Sequence, residues 1–245
     1  MKITYKWLKD FVDIDAPAEE VAEKLTNAGL EVEELIHQNK HLQHVRVGRI
    51  TKIERHPDAD RLQICQVDLG DEHVQIITTA TNVFEGAVVP VSLPGADLAN
   101  GIKIQKSKLR GVDSDGMFCS GEELGIDDSV IEGASINGIL IFPDNFKIGQ
   151  AVEDALGLND VIFDVNITPN RPDCMSVIGI AREVCAIYGK KFIEPRLDYI
   201  SLGDRASNYI DVERKTDSCS RYMAAVIKNV KIQKSPDFIR QRLFA

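Results

Sequence analysis

Residues 161–190 read VIFDVNITPNRPDCMSVIGIAREVCAIYGK, and three patterns within them decide how the chain is built. Asp164-Val165-Asn166-Ile167-Thr168 alternates as a short strand does. Thr168-Pro169-Asn170-Arg171-Pro172-Asp173 enforces a stiff turn, because each proline fixes its own φ and pushes the residue before it out of the helical region. Asp173 stands where an N-cap belongs, and an apolar helix is expected from there until Gly189 stops it. A strand, a two-proline corner and a capped helix hold no nucleophile, base or metal cage, so the segment reads as scaffold.

Upstream, residues 1–37 carry the matching half of such a scaffold. Trp7, Leu8, Phe11 and Val12 recur at helical spacing, and a second helix is expected from Ala16-Pro17, capped near Asp15 or Ala16 and ended by Gly29. Leu30–Ile36 alternates as a strand. Each flank is too small to bury a core alone. Between them, residues 45–142 change character. Short β-rich runs at Val45–Ile53, Leu62–Leu69, Val74–Thr79, Val88–Leu93, Ile102–Leu109 and Ile139–Phe142 are separated by Gly, Pro, Asp and Asn turns. About five strands in roughly a hundred residues is the size of an OB-fold barrel. A short helix is expected at Glu122–Ile126, another between Gly149 and Gly157, and a loop at 127–138. Beyond about residue 195, strands are expected at Tyr209–Glu213 and Tyr222–Val230, followed by a helix opened by Ser235-Pro236-Asp237. That helical pattern reaches Ala245 with no stop signal, so the last domain is expected to be incomplete.

The bulk numbers exclude several classes. A chain of 245 residues with 44% hydrophobic and 27% charged residues has the composition of an ordinary globular protein. No apolar run approaches the ~20 residues that span a bilayer, and the first residues lack a signal-peptide core, so a cytoplasmic location is the default. Five scattered cysteines form no C-x-x-C pair and read as free, packed thiols. His37, His41 and His44 share a helical face but lack the further ligands that a closed metal site needs. The net charge of −9 opposes indiscriminate nucleic-acid binding by the whole surface, although a local basic face can act alone.

Three motifs carry the remaining information. His56-Pro57-Asp58-Ala59-Asp60-Arg61-Leu62 is a proline-shaped loop, and its histidine has no nucleophile beside it. Ile102–Gly111, IKIQKSKLRG, is the strongest basic cluster. On a strand with some register break, Ile102, Ile104 and Leu109 would face inward, while Lys106, Lys108 and Arg110 share the other face. That row suits either a phosphate backbone or a solvated edge strand guarded by lysines. Gly111–Ser120, GVDSDGMFCS, permits either close ligand approach or a kinked barrel corner.

Taken in order, HPDADRL, Asn82-Val83, Leu93-Pro94-Gly95-Ala96 and KLRGVDSDGMFCS resemble the tRNA-binding OB module of several synthetases and their accessory proteins. The fuller pattern, from Tyr5 to about Lys191 and more weakly to Ala245, resembles the beta chains of bacterial phenylalanyl-tRNA synthetases. The resemblance implies an α+β multidomain fold: an OB-fold β-barrel (40–149) inserted into a small discontinuous α/β domain (1–39 plus 150–192). The start of a further α/β domain of editing type, B3/B4-like, would occupy 200–245. It implies tRNA-facing residues at Arg61, Asn82, Lys106, Lys108, Arg110, Ser114, Met117 and Ser120, with no catalytic or metal-binding residue.

It further implies an α₂β₂ enzyme that charges tRNA(Phe) using ATP and Mg²⁺. Neither would bind within these residues, and the partners would be tRNA(Phe) and the alpha subunit, with no membrane and no DNA. The alternatives are a stand-alone, chaperone-like tRNA-binding OB protein and a purely structural assembly domain. One departure is visible: Thr78-Thr79-Ala80-Thr81 replaces a Cys-Gly-Ala-Pro-like run. Aromatics are scarce in the β module (Phe84, Phe118, Phe142 and Phe146), which favours recognition of tRNA shape and backbone over base stacking.

Overall fold

The computed structural model describes residues 1–201 and 203–243. Lys2–Thr4 forms strand β1, and Thr4 caps the helix that follows, α1 (Tyr5–Lys9), by accepting the Trp7 N–H at 3.2 Å. Helix α2 (Ala18–Asn27) begins after Pro17, whose missing N–H costs nothing at a helix start. Gly29, at φ +95°, turns the chain into strand β2 (Val32–His37).

The barrel follows: β3 (Val45–Arg55), β4 (Gln63–Asp68), β5 (His73–Thr78), β6 (Val88–Ser92), the hairpin β7 (Ser107–Leu109) and β8 (Val112–Ser114), and β9 (Met117–Phe118). The chain then passes through α3 (Val152–Ala155), β10 (Val161–Val165), a 3-10 turn at Pro172–Cys174 and α4 (Val177–Tyr188). A last helix, α5 (Asp237–Leu243), packs with this same unit, Met1–Ile193, and Arg242 bonds Asp10.

Strand β10 lies between β1 and β2, antiparallel to both. Residues on either side of the barrel in sequence therefore share one sheet. The helices cover it: Leu8, Val21, Leu25, Phe163, Ile180 and Val184 belong to one core. Gly189 ends α4 in the left-handed region, as expected. The cap of α4 is Ser176, whose Oγ accepts the Gly179 N–H at 3.0 Å, and not Asp173. Pro172 opens the 3-10 turn four residues earlier, and the Asp173 carboxylate is held instead by Arg171 at 2.8 Å.

The barrel sheet has the order β5-β4-β3-β6-β9, all antiparallel. The Asp115 N–H bonds the Gln75 carbonyl at 2.8 Å, bringing the chain just before β9 against β5, so the five strands nearly close. This is OB-type topology. A register shift between Ile50 and Lys52 bends β3 so that it can serve both halves of the barrel. Its interior holds Ile50, Val67, Leu69, Ile76, Val89, Val91 and Phe118. A β-carbon on Gly48 would lie 2.7 Å from Val67 Cγ1, so only glycine fits where the walls converge.

Five expected elements differ. Ile102–Leu109 is a strand only over Ser107–Leu109, because residues 102–104 fold back locally: Leu98 N–H bonds Ile102 O at 3.0 Å and Ile104 N–H bonds Ala96 O at 2.9 Å. Ile104 is buried, but Ile102 and Leu109 are exposed. Ile139–Phe142 contributes a single bridge, Phe142 to Val88, and Glu122–Ile126 is a run of turns. Within the second unit, Glu194–Pro236, the described residues contain only a 3-10 turn at Ala206–Asn208. The strands expected at 209–213 and 222–230 do not form. Tyr222, Ile227 and Val230 are exposed, with no neighbouring strand to supply a ladder.

Candidate nucleic-acid interface

Hairpin β7–β8 projects beside β5, and its turn is Arg110-Gly111. Both residues have positive φ, +47° and +86°, the type I′ geometry that matches the twist of adjoining strands. Gly111 adopts it without steric cost, whereas Arg110 is held there by the hairpin register. Ser107 pairs with Ser114 and Lys108 with Asp113. Alternation then sends Ser114 inward, while Lys106, Lys108, Asp113 and Asp115 face outward together.

The outward face is consequently a ladder of alternating charge. Lys106 Nζ lies 3.0 Å from Asp115, and Lys108 Nζ lies 3.4 Å from Asp113. Hydrogen bonding to Asp115 raises the Lys106 pKa, and Lys106 in turn lowers that of Asp115. The expected single row of three cations is corrected on two counts. Two of the cations are neutralised by the strand paired with them, and the third sits in the turn. Arg110 and Arg61 are both exposed, and neither forms an ion pair among the described residues.

The loop carrying Arg61 is tied to the hairpin by His56. This side chain is 5% exposed. Its Nδ1 accepts the Asp58 N–H at 3.1 Å, which leaves the proton on Nε2, and Nε2–H donates to the Leu109 carbonyl at 3.1 Å. The His56 backbone N–H closes the loop onto the Leu62 carbonyl at 3.1 Å. Sequence reasoning treated His56 only as a base without a nucleophile. The missed signal was the position of the histidine at the base of a loop opposite a polar hairpin.

The other expected residues have structural tasks. Ser114 is 2% exposed; its Oγ accepts the Ile77 N–H at 3.1 Å and donates to Gly116 O at 3.0 Å. Asn82 is half-buried and grips the Ile139 backbone twice, at 2.8 and 3.2 Å. Ser120 and Glu123 cap each other's backbone N–H groups at 2.8 and 3.2 Å. Met117 is half-buried against a second core beside the barrel. Phe118 and Phe142 are buried and Phe146 stacks on Phe142, which leaves Phe84 as the exposed aromatic of the four.

The residues do not fit a resident cation. Asp173, Cys174 and Glu183 converge closely, but the Arg171 guanidinium stands among them, 2.8 Å from Asp173 and 2.6 Å from Glu183, and fills the place of a metal. His37, His41 and His44 do not converge: His41 bonds the Asp97 carbonyl, and His37 faces Glu19. Burial pushes the thiol of Cys119 up to about 12 and that of Cys65 to about 11, which removes both as nucleophiles at neutral pH. No described helix is long and apolar enough to cross a membrane.

Residues 45–151 match the family described as "Putative tRNA binding domain". Similarity extends across the whole chain to curated proteins named phenylalanine--tRNA ligase beta subunit. It is 45% identical over 99% of this chain to that of Clostridium tetani, 46% over 99% to that of Clostridium acetobutylicum, and 42% over 100% to that of Bacillus cereus. The chain spans about 30% of the length of the first two and 31% of the third. Similarity that runs through the barrel and through both strands flanking it ties the OB module to its scaffold, and over its whole length the chain is similar to part of the phenylalanine--tRNA ligase beta subunits.

Proposed function

We propose that these residues bind tRNA on the outer face of the OB barrel, as part of a ligase that charges tRNA(Phe). The observation that carries the reading is the pair Arg61 and Arg110, two exposed guanidiniums without carboxylate partners among the described residues, in an otherwise acidic chain. Arginine forks suit phosphate oxygens, and a rigid barrel presents them at fixed spacing. With Phe84 as the one exposed ring of the barrel's four, recognition rests on backbone and shape, and it discriminates weakly among tRNAs.

The discontinuous domain, 1–39 with 150–192, supports the barrel and serves assembly with an alpha subunit in an α₂β₂ enzyme of the cytoplasm. Residues 200–245 open an editing-type domain. ATP and Mg²⁺ act elsewhere in the ligase. The test is a mobility-shift titration of the chain with transcripts of tRNA(Phe) and of one unrelated tRNA. Replacing Arg61 and Arg110 by alanine weakens both complexes alike. Selective loss of one tRNA refutes backbone recognition, and unchanged binding of both favours a purely structural barrel.

A further inference from the structure

We infer that His56 is the positioning residue of this interface: it fixes the two free arginines at one spacing. The inference rests on the tRNA-binding reading above. Each arginine is covalently adjacent to a group that His56 holds. Arg61 precedes Leu62, whose carbonyl accepts the His56 backbone N–H at 3.1 Å. Arg110 follows Leu109, whose carbonyl accepts His56 Nε2–H at 3.1 Å.

The two loops have little else to set their distance. The hairpin has three residues in each strand, and a two-stranded ribbon of that length has no stability of its own. Its other anchors run to β5: Gln75 Nε2 to Asp113 O at 2.7 Å, and Ile77 N–H to Ser114 at 3.1 Å. Those bonds hold β8. The Leu109 bond holds the end of β7 next to the turn. The His56 ring is buried, and both its nitrogens are used, so its orientation is determined. A phosphate backbone has fixed spacing, and two guanidiniums held at fixed separation bind it without losing loop entropy.

The two ring nitrogens can be separated by substitution. Glutamine places an amide N–H near the position of Nε2, and asparagine places an acceptor near Nδ1. His56→Gln keeps the bond to Leu109, whereas His56→Asn keeps only the loop bond to Asp58. The experiment measures binding of a tRNA(Phe) transcript to the 245-residue chain from 50 to 200 mM salt, with thermal melts on each variant.

H56Q is expected to bind within about twofold of the parent with the same salt slope. H56N is expected to bind about tenfold more weakly, with a slope lower by about one as the Arg110 contact is lost. A role confined to stability would lower the melting temperature and leave the slope of the folded protein unchanged. Parent-like binding by folded H56N overturns the inference, as does weak binding by folded H56Q, and H56Q alone decides it if H56N does not fold. Parallel R61A and R110A variants separate the two failures. If they bind normally, the tRNA-binding reading itself falls; if they bind weakly while the histidine variants do not behave as stated, only the positioning role falls.

Discussion

Lys106 and Asp115 face each other 3.0 Å apart across the base of hairpin β7–β8, and the ammonium that the sequence offers to a phosphate already has an anionic partner. Lys106 is exposed and Asp115 half-buried, and the Lys108–Asp113 pair next to them is exposed on both sides. An exposed pair is weak and screened by salt. In the proposed complex a phosphate would have to compete with the carboxylate for the same ammonium.

Neutralising those carboxylates is therefore predicted to tighten the RNA complex. D113N with D115N should raise tRNA affinity by about two- to fivefold at 50 mM salt, with a smaller gain at 200 mM. Fluorescence anisotropy with a labelled transcript measures it. Unchanged or weaker affinity would show that these lysines do not meet phosphate.

The scaffold makes a separate prediction at Gly179. A β-carbon there would stand 1.9 Å from the Asp173 carbonyl oxygen, because the 3-10 turn folds directly over the first turn of α4. Backbone cannot yield as a side chain can. Gly179→Ala should cost about 1–3 kcal/mol in denaturant unfolding, although alanine normally favours a helix. A stabilised variant would mean that the turn does not pack as described.

Acid should loosen the same corner. Hydrogen bonding to Arg171 holds the Asp173 carboxyl down to about 2, against about 3.9 in an unfolded chain. A lowered folded value gives stability that is present above the unfolded pKa and lost as pH falls toward the folded one. The melting temperature of D173N should thus lie below that of the parent at pH 7, and the gap should close between pH 4 and pH 2. A gap independent of pH would remove the ion pair as its cause.

Burial predicts the thiol chemistry. Cys65, Cys119, Cys174 and Cys185 are buried, and Cys219 is partly exposed. At pH 8 a brief pulse of iodoacetamide should label Cys219 alone in the folded protein and all five cysteines in denaturant. Rapid native labelling of Cys119 would contradict its place beside Ser92 at 2.8 Å.

Much of the architecture was legible because its signals are local. Gly189 as a left-handed stop, the Tyr5 helix and the β-rich runs of β3 to β6 between turn residues depend on single residues or short stretches. The barrel's place between two halves of a sheet was legible because neither flank could bury Leu8 or Phe163 alone. The site was harder to read. Lysine and aspartate on one strand face look alike in sequence whether they meet solvent, RNA or each other, and the register Lys108–Asp113 decides which. Ser114 and Asn82 resemble surface polar residues, but backbone groups brought from Ile77 and Ile139 claim them. His56 shows the same limit, since its partner lies 53 positions away.

In the proposed complex Arg61 and Arg110, exposed on the barrel's loops, meet the phosphate backbone of tRNA. The most direct measurement is the affinity of a tRNA(Phe) transcript across 50–200 mM salt for the parent and for R61A/R110A. Log affinity should fall linearly with log salt for the parent, with a slope smaller by about two for the double variant. Equal slopes, or affinity that does not change with salt, would contradict it.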